Sequence, residues 1–200
     1  MNLGLSEMDS VLNDNNFKIY DKEVLFMLSF LQINLSYNYT LCQRYLDRIG
    51  DRYKQNFLLN FTAARLSHFL GKNEYCLKVL ENRPSSEGKY DFHYLDYLQG
   101  MSYLYKLDYT NAEKYFNQFL NSFKGNNYIK STYHKLAWIS YLKGDDNQYK
   151  YFHKVKTKGL NSIDEDRVAL KDAQRNYITH PRLLKTRLLY DGGYYKSSLA

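Results

Sequence analysis

The sequence predicts an all-α protein, an α-solenoid assembled from antiparallel helix pairs, and three observations predict it. Only Pro84 and Pro181 interrupt 200 residues, and long helices need a chain free of internal proline. Apolar residues recur at helical spacing in segments separated by short turns rich in Gly, Asn and Asp. A small-residue position also recurs: Cys42, Cys76, Ala112 and Tyr149 are separated by 34, 36 and 37 residues, and a helix-turn-helix repeat of this kind has a period of about 34.

The elements follow in order. Leu5, Met8, Val11 and Leu12 place a short amphipathic helix within residues 1–20, where it caps the array. Residues 22–50 form a first pair, with Ser36 to Cys42 leading into Tyr45, Leu46 and Ile49. Residues 53–82 form a second, in which Ala63-Ala64, the turn from Leu70 to Asn73, and Cys76 repeat the small pair, the turn and the small residue of the second helix. The third pair, 91–123, is the clearest: Gly100 and Tyr103, then Leu107-Asp108-Tyr109, then Ala112 and Phe116. Small residues let the two helices approach, and the aromatic ring fills the space beside them. The fourth pair, 128–158, carries Leu136-Ala137, the turn at Gly144, then Tyr149 and Phe152. The loops Arg83 to Lys89 and Lys124 to Asn127 absorb the extra residues of the period. Ser162 to Glu165 reads as a capping box, opening a separate inserted helix over 162–176. Pro181 starts an incomplete fifth unit, 181–200, with Leu183, Leu184, Leu188 and Leu189 as a stripe and Gly192-Gly193 as the turn. The chain stops where a second helix is due, so the stripe is expected to be bare unless a partner or more chain covers it.

Gly100, Tyr103, Ala112 and Phe116 sit at the places of the tetratricopeptide pattern, and the sequence resembles that repeat family over roughly residues 22–200. Gln99 and Asp96 replace the expected Leu and Trp, and Tyr149 stands where a small residue is expected, which predicts a splayed or shifted fourth pair. The stretches Phe123 to Lys130 and Leu183 to Tyr195 are similar to repeat proteins of Bacteroidota bacteria. The resemblance implies a right-handed superhelix whose first helices line a concave groove for peptides or helices. It places Phe61, Arg65, His68 and Phe69 there in the second unit; Tyr94, Tyr97, Met101, Leu104 and Tyr105 in the third; and Ser131, His134, Trp138, Tyr141 and Leu142 in the fourth. Tyr, Trp and Arg are the types that anchor interfaces, and Met accommodates varied partners. Against this stands simple packing between helices, the preferred reading for Leu104 and Leu142 and an even alternative for Tyr97, Trp138 and Tyr141. Family members that grip a chaperone's terminal carboxylate use Lys, Asn, Asn, Lys and Arg where this chain has Phe61, Arg65, Leu98, Ser131 and Lys135; only Lys135 is similar, so no such clamp is expected.

The expected function is that of a protein- or peptide-binding adaptor or scaffold, with a homo-oligomerising structural unit as the first alternative, an enzyme as the next and a nucleic-acid binder as the last. The partner's identity is open. Catalysis, a cofactor and a metal are not expected: no phosphate-binding or dinucleotide loop is present, and His68, His93, His134, His153 and His180 form no ligand set. Cys42 and Cys76 have no metal or redox spacing and read as core residues. The net charge of +7 divides as +3 over residues 1–144 (17 basic, 14 acidic) and +4 over 145–200 (11 and 7). That spread, including Lys150, Lys154, Lys156, Lys158, Arg167, Lys171 and Arg175, reads as solvated helix faces and not as a nucleic-acid patch. No membrane span and no leader are legible, which predicts a cytoplasmic protein. The glycosylation-type triplets at Asn34, Asn38 and Asn60 read as chance.

Overall fold

Helices begin here where a short polar side chain can accept an orphan backbone N–H. Asn38 accepts from Leu41 N, Asn56 from Leu59 N and Asp108 from Asn111 N, at 3.0, 3.0 and 3.1 Å. Pro181 sits in the first turn of its helix, where the missing N–H costs nothing. Turns close on Gly71, Gly144 and Gly193, whose φ values of +66°, +75° and +81° disfavour a side chain.

The computed structural model describes residues 2–87 and 91–199. Lys89 of the expected loop, and Ala200 at the end of the fifth unit, lie outside the described residues. All described secondary structure is helical and packs largely in pairs, and none of the helices is long and apolar enough to cross a membrane. The chain divides into two compact units, residues 1–92 and 93–200.

The first unit holds α1 (Asn2–Asn13), a 3-10 turn (Asn15–Tyr20), α2 (Asp21–Leu31) ending in a π-helical turn (Gln32–Ser36), α3 (Tyr39–Ile49), a 3-10 turn (Gly50–Lys54), α4 (Phe57–Phe69) and α5 (Asn73–Glu81). Its core is Leu25, Leu28, Tyr45, Ile49, Tyr53, Leu59, Ala63, Ala64 and Leu80, joined by both cysteines. Burial pushes the Cys42 thiol up to about 11, which makes it inert packing material. Asn60 is buried, its amide donating to Val79 O at 2.8 Å, so it ties α4 to α5 and is closed to modification. Asp21 of α2 is bridged by Arg48 (3.2 Å) and Arg52, fixing the start of α2 against the end of α3.

The second unit holds α6 (Tyr94–Tyr105), α7 (Tyr109–Ser122), α8 (Ile129–Lys143), α9 (Gln148–Thr157), α10 (Asp164–Gln174), α11 (Pro181–Asp191) and the short α12 (Tyr195–Ser198). Gly100 permits the closest approach of α6 to α7: a Cβ there would lie 2.6 Å from the Phe116 ring. The fourth pair is not splayed; α8 and α9 pack as intimately as α6 and α7. Its register is shifted instead. Tyr149, in the first turn of α9, faces out at 61% exposure, and Phe152 and Val155 meet Ala137 in its place. Ser162 does not form the expected capping box, because α10 starts on an Ile163 cap with no side-chain bond. The inserted helix α10 lies on α8 and α9, where Ala169 and Ala173 complete the cluster of Ala137, Phe152 and Val155. Helix α11 turns back onto α6, burying Leu184 and Leu188, and Gly192 packs so tightly on Tyr105 that a Cβ would lie 2.8 Å from the Tyr105 Cβ. The unpaired stripe is therefore covered on one side by the chain itself, while Leu183 stays exposed.

Candidate functional site

Helical spacing places Phe26 and Phe30 on one face of α2, and Phe61, Arg65 and Phe69 on one face of α4. Packing of α2 on α4 joins the two faces. Ring centroids run from Phe30 to Phe26 (6.3 Å), Phe26 to Phe61 (6.0 Å) and Phe61 to Phe92 (5.4 Å), within the range where aromatic pairs attract. A second group stands at the other end of α4, with Tyr39 stacked on Phe69 at 4.7 Å and Tyr37 6.4 Å away. The face is open: Phe30 is 54% exposed and Met27 51%. Arg65 lies half-buried along it and pairs with no carboxylate among the described residues. An apolar hollow lined by Leu5, Met8, Val11, Leu31 and Leu35 opens between α1 and the end of α2.

His68, at the end of the α4 face, is held neutral. Burial first, and the Arg65 charge second, push it from 6.5 down to about 3. A folded value below the unfolded one means that the unfolded chain takes up the proton first. The stabilisation is full above about pH 6.5 and is lost as pH falls toward about 3. Urea midpoints should therefore fall over that window, and His68→Leu should flatten the fall; an unchanged slope in the variant would contradict this assignment.

In the second unit the expected groove residues divide differently. Tyr97 is only 4% exposed, bonds its hydroxyl to Ser131 Oγ at 2.9 Å, and packs among Phe116, Phe119 and Tyr128. Tyr94 stacks on Tyr97 at 5.4 Å and touches Tyr128 at 4.5 Å. Tyr105 lies against Gly192, while Met101 and Tyr141 are half-buried. His134 is 1% exposed, edge-on to Trp138 at 4.8 Å and near Phe152 at 6.1 Å. Tyr97 and His134 pack between helices here and present almost no surface. Phe30 and Met27, with the half-buried Phe26 beside them, are the aromatic and methionine surface that sequence reading passed over, although the i, i+4 spacing of the two phenylalanines was there to find.

A polar cluster accompanies His134. Its Nε2 stands 3.4 Å from Asp172 Oδ2 of α10, yet burial and the neighbouring Lys135 charge push the imidazole well below its ordinary value. The Lys135 ammonium lies 3.5 Å from the Trp138 ring centroid. Burial, then the Arg187 charge, bring it from 10.5 down to about 7, against the pull of Asp172, Asp191 and Glu165. Burial also raises Asp172 and Asp191, and Arg187 Nε stands 3.6 Å from Asp191 Oδ2. Helices α8, α10 and α11 each contribute to this cluster, so no local motif announces it. Among the described residues no group of three or more His, Cys, Asp or Glu side chains forms a metal cage.

No protein-family model matches this chain, and neither the curated proteins nor the solved structures contain a match to it.

Proposed function

We propose that this chain is a protein- or peptide-binding adaptor or scaffold, an α-solenoid of tetratricopeptide-like pairs whose docking face is the aromatic face of α2 and α4. The observation that carries the reading is the run of Phe30, Phe26, Phe61 and Phe92 beside Arg65, exposed at Phe30 and at the neighbouring Met27 and half-buried along its other rings. Soluble proteins rarely leave a contiguous aromatic patch in water without a use for it. An arginine among such rings adds a charged donor fork suited to a carboxylate. The ligand that fits is an extended apolar segment with aromatic or aliphatic anchors and one Asp or Glu for Arg65. The reading assigns binding to this face and no catalysis, cofactor or nucleic acid to the chain. It rests on Phe61 and Arg65 among the residues first singled out, and adds Phe26, Met27 and Phe30.

Selection of a displayed random-peptide library on the native chain is expected to enrich such acidic-apolar segments. Arg65→Glu should lose at least tenfold in affinity for the enriched peptides, since loss of a charged anchor and gain of a like charge together exceed about 1.4 kcal/mol. A library that enriches nothing on the native chain, or peptides bound equally by Arg65→Glu and Phe26→Ala/Phe61→Ala, would remove the assignment. A mass that rises with concentration, and ceases to do so in Phe30→Ala, would give the face to a second copy instead.

A further inference from the structure

The cluster on α8 is independent of the aromatic face, and a simple scaffold has no need of it. Lys135 Nζ has the Trp138 ring beneath it and no hydrogen-bond acceptor among the described residues. A lysine at the surface would be solvated or paired. The charged and titratable groups facing it are His134 on its own helix, Glu165 and Asp172 on α10, and Arg187 and Asp191 on α11. The residue is half-buried, which leaves part of its side chain accessible to a small molecule.

We propose that Lys135 is a covalent capture site for small carbonyl compounds, an aldehyde or ketone that its amine binds reversibly as an imine over the Trp138 face. The chemistry balances without a further reagent. The neutral Nζ lone pair forms a bond to the carbonyl carbon as the C=O π pair moves to oxygen. Water then leaves, made of the carbonyl oxygen, one Nζ hydrogen and one proton from solvent or a neighbouring carboxyl. The second Nζ hydrogen remains on the iminium, and hydrolysis reverses every step. The surroundings suit each stage. Burial keeps a large share of the amine neutral near pH 7, as activated lysines require. The raised carboxyls of Asp172 and Asp191 hold protons to higher pH than ordinary ones. The positive iminium keeps the Trp138 ring face beneath it and the charge attraction of Asp172 and Asp191.

The test uses the full native chain with propanal and cyanoborohydride at pH 7, which traps imines, and peptide mapping to rank every lysine by rate. An ordinary lysine with a pKa near 10.4 is about one part in 2,500 neutral at that pH, whereas Lys135 is close to half neutral, and the lower nucleophilicity of a weaker base takes back part of that advantage. Lys135 is expected to react at least about tenfold faster than the median lysine, and to lose that lead at pH 10 and in urea. A lead smaller than tenfold at pH 7, or one that persists in urea, would overturn the proposal. Lys135→Arg should abolish the fast event while leaving the rates of the other lysines unchanged. A fast event that survives this substitution would overturn it too.

Discussion

Phe116→Ala should destabilise the second unit by about 3–5 kcal/mol, the range for deleting a large buried ring whose site cannot collapse. The ring is fully buried. It fills the space above Gly100, which has no side chain to move into a vacancy, and the nearby Tyr97 is tethered through Ser131. The same geometry gives a second signature. Gly100→Ala places a methyl 2.6 Å from that ring and should cost about 1–3 kcal/mol in the native background. In Phe116→Ala the methyl has room, so the substitution should be neutral or favourable, and the double-mutant cycle should show coupling above about 1 kcal/mol. Urea unfolding measures all four corners. Additive costs would mean that α6 and α7 do not meet at these two residues.

Asp166→Ala should cost about 2–4 kcal/mol, because it strips one buried and one part-buried N–H group of their acceptor, at about 1–3 kcal/mol for a buried one, while relieving the burial of one charge. Helix α8 is not capped by the residue before it: Tyr128 is left-handed (φ 64°) and makes no side-chain cap bond. Asp166, reaching over from α10, accepts from Tyr128 N at 2.7 Å and Ser131 N at 2.8 Å. Burial raises this carboxyl, while the two donors and Lys130 oppose the shift. Asp166→Asn keeps the size and one acceptor and should cost less than Ala. Hydrogen exchange should show the first turn of α8 opening before the rest of the helix in both variants. Equal protection in Asp166→Ala and the native chain would rule the borrowed cap out.

These two sites show what a sequence does and does not disclose. Gly100, Ala112 and Phe116 were legible because the close approach of α6 and α7 is encoded within seventeen residues, Gly100 to Phe116, at helical spacing. Tyr149 misled because helix phase depends on where α9 starts, and a start at Gln148 turns it outward. The cap of α8 was illegible because its acceptor stands 38 residues from Tyr128. The return of α11 to α6 is a matter of topology, and the leucine stripe that does it reads the same whichever helix it covers. The candidate face was half legible. Phe61 and Arg65 came from the repeat register, whereas Phe26 and Phe30 lay in an apolar run that spacing alone assigns equally well to the core. Lys135, Asp172 and Asp191 meet only after three helices have packed.

We propose that the aromatic face of α2 and α4, exposed at Phe30 and Met27, docks an acidic-apolar segment of another protein. The most direct measurement is a titration of the native chain with one library-selected peptide, followed by Phe26→Ala/Phe61→Ala with its helicity verified by circular dichroism. The account predicts saturable one-site binding that weakens at least about a hundredfold in the variant, as the loss of two anchor rings at about 1.4 kcal/mol or more each requires. Binding of equal strength in a folded variant would contradict it.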